Sequence, residues 1–450
     1  MTKKKTFDKE QKRALLQHAR VVIANFAKGL VPKDNPNPQD WWASGWTFFD
    51  GYTVRFTEDY LKAQPEFTRF AARTLKAKSA HEKTIRNLCQ VAGQDYVKMT
   101  AAADQERQGP LDAAARALVE TVLAEAGREV THIEPNFLIR HTEPDALVLG
   151  RLRSMPTEVA VAHSPLSKHH RISLAIGKCP KVSFQEDSIA VDMPRSVRVT
   201  NVSATKENVA EEGKWLIDIA VSLMRLSTRK WQGNFPRIGD VEAHPIYSAI
   251  LLRPHVTLEG DAAYTRHGEA PGWYEISQEV AAALNAPDIQ TRASLLFDPK
   301  DKSLAQRVAQ GLGWMTRGRQ VSDRAERLLS LFTVLEALLT SNQENSPATE
   351  TISRHVSVIL TQVVKERVAF YNNLKRLYAL RSRVVHSSRR EVLRQDVNTL
   401  QVYVETVFWT VLDRCDLDIP QETFARSLAD ASHGSRWEFA APEELRPAKN

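Results

Sequence analysis

The stretch N-L-K-R-L-Y-A-L-R-S-R-V-V-H, residues 373–386, decides how the C-terminal part of the chain is interpreted. On a straight helix Ser382 and His386 are four residues apart, and Arg383 and His386 are three apart, so these side chains share one face. Arg381 lies five residues before His386, about 140° around the axis and about 7.5 Å along it. A long guanidinium partly covers that separation. Arg381 and His386 could therefore meet on one phosphate without touching each other.

The same stretch is strongly basic. Between residues 371 and 394, Glu391 is the single acid. It stands against seven cations, which are Lys375, Arg376, Arg381, Arg383, Arg389, Arg390 and Arg394. This density of positive charge favours a polyanionic ligand.

The phrase R-S-R-V-V-H, residues 381–386, resembles the R-x4-6-H signature of HEPN domains, and L-Y-A-L-R-S-R-V-V-H is most similar to the ApeA-like HEPN group of bacterial defence proteins. Its surroundings agree, because about residues 303–415 have a helical pattern, with V-L-E-A-L-L (334–339) upstream of the motif. Two positions depart from the family pattern. Ser387 stands where a glycine is frequent, and Ser382 stands where many catalytic members carry Asn or Asp.

The resemblance implies a metal-independent endoribonuclease without a cofactor, with Arg381 and His386 as the catalytic residues. Histidine can exchange a proton with a ribose 2′-OH or a leaving 5′-oxygen, and arginine can stabilise a pentavalent phosphate. The expected products carry 2′,3′-cyclic phosphate and 5′-hydroxyl ends. The chain holds one such domain, whereas HEPN nucleases join two motifs at one cleft, so the resemblance also implies a homodimer.

Other residues are expected to support this site. Ser382 and Arg383 are candidates for substrate contacts. Tyr378 lies one turn before Arg381 and either stacks a base or belongs to the core. Glu336 either orients an arginine of the motif through a charge-assisted pair or is a surface acid.

Two functions from different classes follow. The first is an antiviral, abortive-infection effector (a toxin) whose first 300 residues hold the ribonuclease inactive until a trigger arrives. The second is a non-catalytic HEPN scaffold that dimerises or binds a nucleotide or RNA, with sensing by the N-terminal region as its main activity. The second function stays open because Ser382 stands where many catalytic members carry Asn or Asp. The sequence identifies neither the trigger nor the RNA target.

The composition describes a multidomain protein. The chain has 450 residues, 42% of them hydrophobic, and a formal net charge of +7. The three cysteines are far apart and form no C-x-x-C pair, which fits a reducing cytoplasm. No run of about 18 apolar residues indicates a membrane span, and the basic start lacks the apolar segment of a signal peptide. We therefore expect a cytoplasmic protein without a membrane partner.

Hydrophobic periodicity and turn residues divide the chain into four parts. Residues 1–128 are mainly helical, and residues 129–299 form an α+β sensor or regulatory domain. Residues 300–418 form the helical bundle, and residues 419–450 form a C-terminal tail. The predicted fold class is thus an α+β N-terminal region, with helices and a mainly antiparallel sheet, followed by an all-α HEPN helical bundle.

The first 300 residues carry little recognisable chemistry. Gly177-Lys178 and Gly311-x-Gly313 lack the further glycines of nucleotide-binding loops. His163, His169 and His170 lie in a loop with no carboxylate or cysteine at metal-ligand spacing, and no metal site is predicted there. His244 and His255 flank predicted strands, where structural histidines are common. Aromatic residues cluster between Trp41 and Tyr52, where packing of an N-terminal core is favoured over base stacking.

Overall fold

The computed structural model describes residues 9–31, 45–75, 81–101, 108–136, 139–143, 146–163, 182–184, 189–191, 196–205, 207–228, 255–259, 262–266, 274–319, 321, 323–340, 347–386 and 390–441. The chain divides into two compact units, Met1–His132 with Asn201–Gly213, and Ile133–Thr200 with Lys214–Asn450. None of the helices in these described ranges is both long and apolar enough to cross a membrane.

The first unit combines helices with a small antiparallel sheet. Its helices are α1 (Lys9–Ala27), α2 (Glu58–Leu75), α3 (Glu82–Ala101) and α4 (Gln108–Gly127), and its strands are β1 (Leu30–Val31), β2 (Trp46–Phe49) and β3 (Tyr52–Arg55), in the order β1-β3-β2. Aromatic rings fill the core, and Phe26 and Tyr60 meet edge-on with centroids 5.3 Å apart. Phe49 and Tyr52 pack against the same core, so the packing interpretation of the aromatic cluster is confirmed for these two. Trp41 and Trp42 lie outside the described residues.

The middle of the chain carries most of the strands. They are β4 (Glu129–Asn136), β5 (Ile139–His141), β6 (Leu147–Leu149), β7 (Leu152–Pro156), β8 (Val182–Phe184), β9 (Ile189–Val191), β10 (Ser196–Ser203), β11 (His255–Glu259), β12 (Ala262–Arg266) and β13 (Tyr274–Ile276). One sheet has the order β4-β10-β7-β6, and β7 is antiparallel to both β10 and β6. The pairs β8–β9 and β11–β12 are antiparallel, whereas β13 and β5 are parallel. The predicted mainly antiparallel strands are therefore present.

Four further helices accompany the strands within the described ranges, namely α5 (Thr157–His163), α6 (Val209–Ser227), α7 (Gln278–Leu284) and α8 (Pro287–Phe297). Helix α6 contains the apolar segment that the sequence predicts. Ile217, Leu223 and Met224 are almost completely buried in the core of the second unit.

The C-terminal part is mostly helical, as the sequence predicts. Its helices are α9 (Leu304–Arg319), α10 (Arg324–Leu339), α11 (Ala348–Leu360), α12 (Val364–His386), α13 (Arg394–Arg414) and α14 (Gln421–Ser432). Helix α10 begins at the N-cap Asp323, whose carboxylate accepts a hydrogen bond from the Glu326 backbone at 2.9 Å. The core stripe of α10 is buried, including Leu331, Phe332 and Leu335.

The helical core extends beyond the predicted bundle at both ends. Residues 133–200 share its compact unit, so the predicted boundary near Pro299 does not separate two compact units. The expected tail from residue 419 is wrong for residues 421–441. Here α14 buries Phe424 and Leu428, and Trp437 is 4% exposed within the same core. The physical reason is an apolar stripe at helical spacing, which gains more from burial than from exposure to water.

Candidate functional site

Helix α12 positions the basic motif by burying one face and exposing the other. Phe370, Leu374 and Leu377 recur at spacings of four and three residues and are 2%, 0% and 0% exposed. The helix continues for 23 residues and ends at His386. Its buried face fixes the rotation of the helix, so the motif side chains leave it in defined directions.

An open pocket of about 440 Å³ lies along the outer face of α12. It is lined by Thr349 from α11 and by six residues of α12, which are Lys375, Tyr378, Ala379, Ser382, Arg383 and His386. The predicted shared face of Ser382, Arg383 and His386 is thus confirmed. Arg383 and His386 are exposed. Neither makes a hydrogen bond or ion pair with another residue of the described ranges, so both are available to a ligand.

Arg381 does not line this pocket itself, but it contacts Tyr378, which does. Its guanidinium lies 3.4 Å from the Glu336 carboxylate on α10 and 5.2 Å from the centroid of the Tyr378 ring. Glu336 also accepts a hydrogen bond from the Tyr378 hydroxyl at 3.1 Å. Of the two roles predicted for Glu336, the structure therefore shows the ion pair with the motif arginine. Both partners are about one quarter exposed, so the pair orients Arg381 more than it stabilises the fold.

Tyr378 is held by its surroundings rather than free to stack a base. Phe332 meets its ring edge-on at 5.0 Å, and Arg381 lies over the ring. Burial and, next, the neighbouring Glu336 carboxylate raise the pKa of the Tyr378 hydroxyl, which therefore stays a neutral donor. These contacts favour the packing interpretation of Tyr378.

Acids from other helices neutralise part of the basic motif. Four of its cations have partners, in the pairs Lys375–Glu350 (3.5 Å), Arg376–Asp396 (2.8 Å), Arg381–Glu336 (3.4 Å) and Arg390–Asp323 (3.0 Å). The local sequence could not show these acids, because each lies at least 20 residues from its cation and the fold brings the two together. Lys375 and Thr349 are pocket residues that the sequence analysis did not select. Lys375 lies seven residues, or two helical turns, before Ser382, and this spacing could have predicted that both residues lie on the same face of α12.

The weaker candidates add no second site. Gly311 and Gly313 permit close packing, because an added Cβ would lie 2.2 Å from Phe408 and 2.5 Å from Trp215. Gly177-Lys178, His169, His170 and His244 lie outside the described residues. In the part of the chain that the structure describes, no three His, Cys, Asp or Glu side chains are grouped to hold a metal ion.

Comparison with known proteins gives no match to a family model, to a curated protein or to a solved structure. The features of this chain that bear on function are therefore the pocket, its charges and the motif itself.

Proposed function

We propose that this protein is a metal-independent endoribonuclease of HEPN type, and that residues 303–415 contain its HEPN helical bundle. The observation that supports this most is the location of His386. It lies in an open, cationic pocket beside Ser382 and Arg383, with no partner among the described residues. A histidine in that setting can exchange protons with a bound RNA strand.

In the proposed reaction His386 takes the proton from a ribose 2′-OH, or returns a proton to the leaving 5′-oxygen. The 2′-oxygen attacks the adjacent phosphorus, the bond to the 5′-oxygen breaks, and the products end in 2′,3′-cyclic phosphate and 5′-hydroxyl. Arg381 stabilises the negative charge of the pentavalent phosphate. Ser382 and Arg383 contact the substrate, while Glu336 and Tyr378 orient Arg381.

The proposed active form is a homodimer. One histidine cannot easily act as acid and base in the same step, and a second copy of the motif supplies the missing group. The exposure of His386 and Arg383 supports this arrangement, since a second chain or an RNA strand can reach both.

The proposed biological role is antiviral defence by abortive infection in the cytoplasm, with the N-terminal region as sensor. This role rests on the resemblance of the motif to the ApeA-like HEPN group. A toxic ribonuclease needs control, and the first 300 residues are large enough to provide it.

A non-catalytic HEPN scaffold that dimerises or binds RNA is the second candidate. It is favoured by Arg381, which pairs with Glu336 and does not line the pocket that contains His386. A serine at position 382 also fits this function, because many catalytic relatives of the motif carry Asn or Asp there.

Cleavage assays separate the two candidates. Purified wild type, His386→Ala and the matched control His433→Ala are incubated with total RNA and labelled tRNA in EDTA, and the product ends are identified. His433 is an exposed histidine at the end of α14, away from the motif in sequence. We expect wild type and His433→Ala to produce cyclic phosphate ends, and His386→Ala to produce none. Equal cleavage by all three would remove His386 from the mechanism, and RNA binding without cleavage would support the scaffold.

A further inference from the structure

The pocket on α12 is longer than one phosphate requires. Lys375 and Arg383 are eight residues apart, which corresponds to about 12 Å along the helix axis. A stacked nucleic-acid strand advances by about 3.4 Å per nucleotide, so this distance spans roughly three to four nucleotides. The two ends of the pocket can therefore contact different phosphates of one strand.

The end at Lys375 carries a net positive charge. Its ammonium group lies 3.5 Å from Glu350 and 3.2 Å from the Tyr371 hydroxyl. Glu350 also pairs with Arg354 at 3.4 Å, so two cations share one carboxylate. The hydrogen bond with Tyr371 is the largest cause that raises the pKa of Lys375, which keeps the ammonium charged. The Lys375 side chain remains 47% exposed.

The neighbouring elements also suit an anion. Thr349 lies in the first turn of α11, where the helix dipole favours negative charge, while the backbone N–H groups of Glu350 and Thr351 already bond to the Pro347 carbonyl. Between this end and Arg383, the pocket is lined by Tyr378, Ala379 and Ser382, which are uncharged. A strand can thus lie close to the helix between two cationic ends.

We propose that Lys375, at the end of the pocket that Thr349 lines, forms a second phosphate subsite, which binds single-stranded RNA three to four nucleotides from the phosphate held near His386 and Arg383. This inference rests on the proposed function and adds a substrate class to it. The ligand is a strand of at least about five nucleotides, and dinucleotides engage only one end of the pocket.

Binding of non-cleavable RNA tests the subsite separately from catalysis. Fluorescein-labelled 2′-O-methyl oligonucleotides of twelve and two nucleotides lack the attacking hydroxyl. Their dissociation constants are measured with the full chain as wild type, Lys375→Met, Lys375→Arg and Lys365→Met. Lys365 is an exposed lysine on the same helix that does not line the pocket, so it is the matched control. Circular dichroism verifies that every variant is folded.

We expect Lys375→Met to bind the twelve-nucleotide strand roughly fivefold more weakly at low salt, as loss of one exposed charge contact predicts. Its plot of log affinity against log salt should be shallower by about 0.7, the value for one phosphate contact on a single strand. Lys375→Arg and Lys365→Met should behave as wild type, and the dinucleotide should not distinguish the variants.

Equal affinity and equal salt dependence for Lys375→Met and Lys365→Met would overturn the subsite, as would the absence of any binding of the twelve-nucleotide strand to wild type. The proposed function fails by a different result, which is cleavage of ordinary RNA that does not depend on His386. The two failures are therefore distinguishable.

Discussion

Replacement of Glu405 by glutamine should destabilise the second compact unit by about 3–5 kcal/mol, because it removes the buried carboxylate that two buried arginines share. Glu405 is 0% exposed on α13, and the side chains of Arg225 (α6) and Arg319 (α9) are 5% and 7% exposed. One oxygen of Glu405 pairs with Arg225. The same oxygen accepts bonds from Arg319 and Gln401, each at 3.0 Å.

The expected loss follows from the charges rather than from the shape of the side chain. Glutamine preserves the volume but removes the negative charge that both guanidinium groups share. A loss of 3–5 kcal/mol corresponds to a factor of roughly 10² to 10⁴ in the unfolding equilibrium, at about tenfold for each 1.4 kcal/mol. Replacing all three charged residues together, as Arg225→Met, Arg319→Met and Glu405→Leu, should be nearly neutral, because no uncompensated charge remains.

Urea unfolding followed by far-UV circular dichroism measures the change, and hydrogen exchange of peptides from α9 and α13 assigns the transition to this unit. Glu391→Gln is the control, since Glu391 is exposed and makes no ion pair with another described residue. It should stay within about 0.5 kcal/mol of wild type. A loss below about 1 kcal/mol for Glu405→Gln, or a triple variant less stable than Glu405→Gln, would refute the reasoning.

Two further substitutions test the packing of α9. Burial raises the pKa of the Asp218 carboxyl to about 6, although Arg317 donates a hydrogen bond to it at 3.0 Å. Protonation of this buried carboxyl therefore stabilises the folded state fully below about pH 4, and the stabilisation is lost as the pH rises through 6. Between pH 4 and 6.5, unfolding free energies should therefore decline by about 2 kcal/mol more in wild type than in Asp218→Asn; parallel curves would contradict this. Gly311→Ala should cost about 1–3 kcal/mol in urea unfolding, because its Cβ would lie 2.2 Å from Phe408, whereas Gly109→Ala, with open space around it, should cost nothing. Equal stability of the two alanine variants would contradict the packing argument.

Local periodicity was sufficient to predict the pocket face of the motif. Ser382, Arg383 and His386 share a side of α12 because helical spacing alone determines it. The ion pair between Arg381 and Glu336 could be proposed only as one of two alternatives. Its partners are 45 residues apart, and the packing of α10 against α12 brings them together.

Long-range charge pairing is what the sequence could not show. Arg225 and Glu405 look like surface residues in any local window, yet they meet in the core. The helix after residue 420 was a different kind of miss. Phe424, Leu428 and Ala431 repeat at spacings of four and three, which is the signal of a buried stripe that the predicted tail did not take into account.

The different surroundings of Arg381 and His386 support the proposal that the nuclease acts as two chains. Five residues on a helix rotate the side chains by about 140°. The structure accordingly pairs Arg381 with Glu336 on α10 and leaves His386 in the open pocket. If both groups act on one phosphate in the proposed reaction, a second copy of α12 is the simplest source of the other, and the Glu336 pair would orient that arginine.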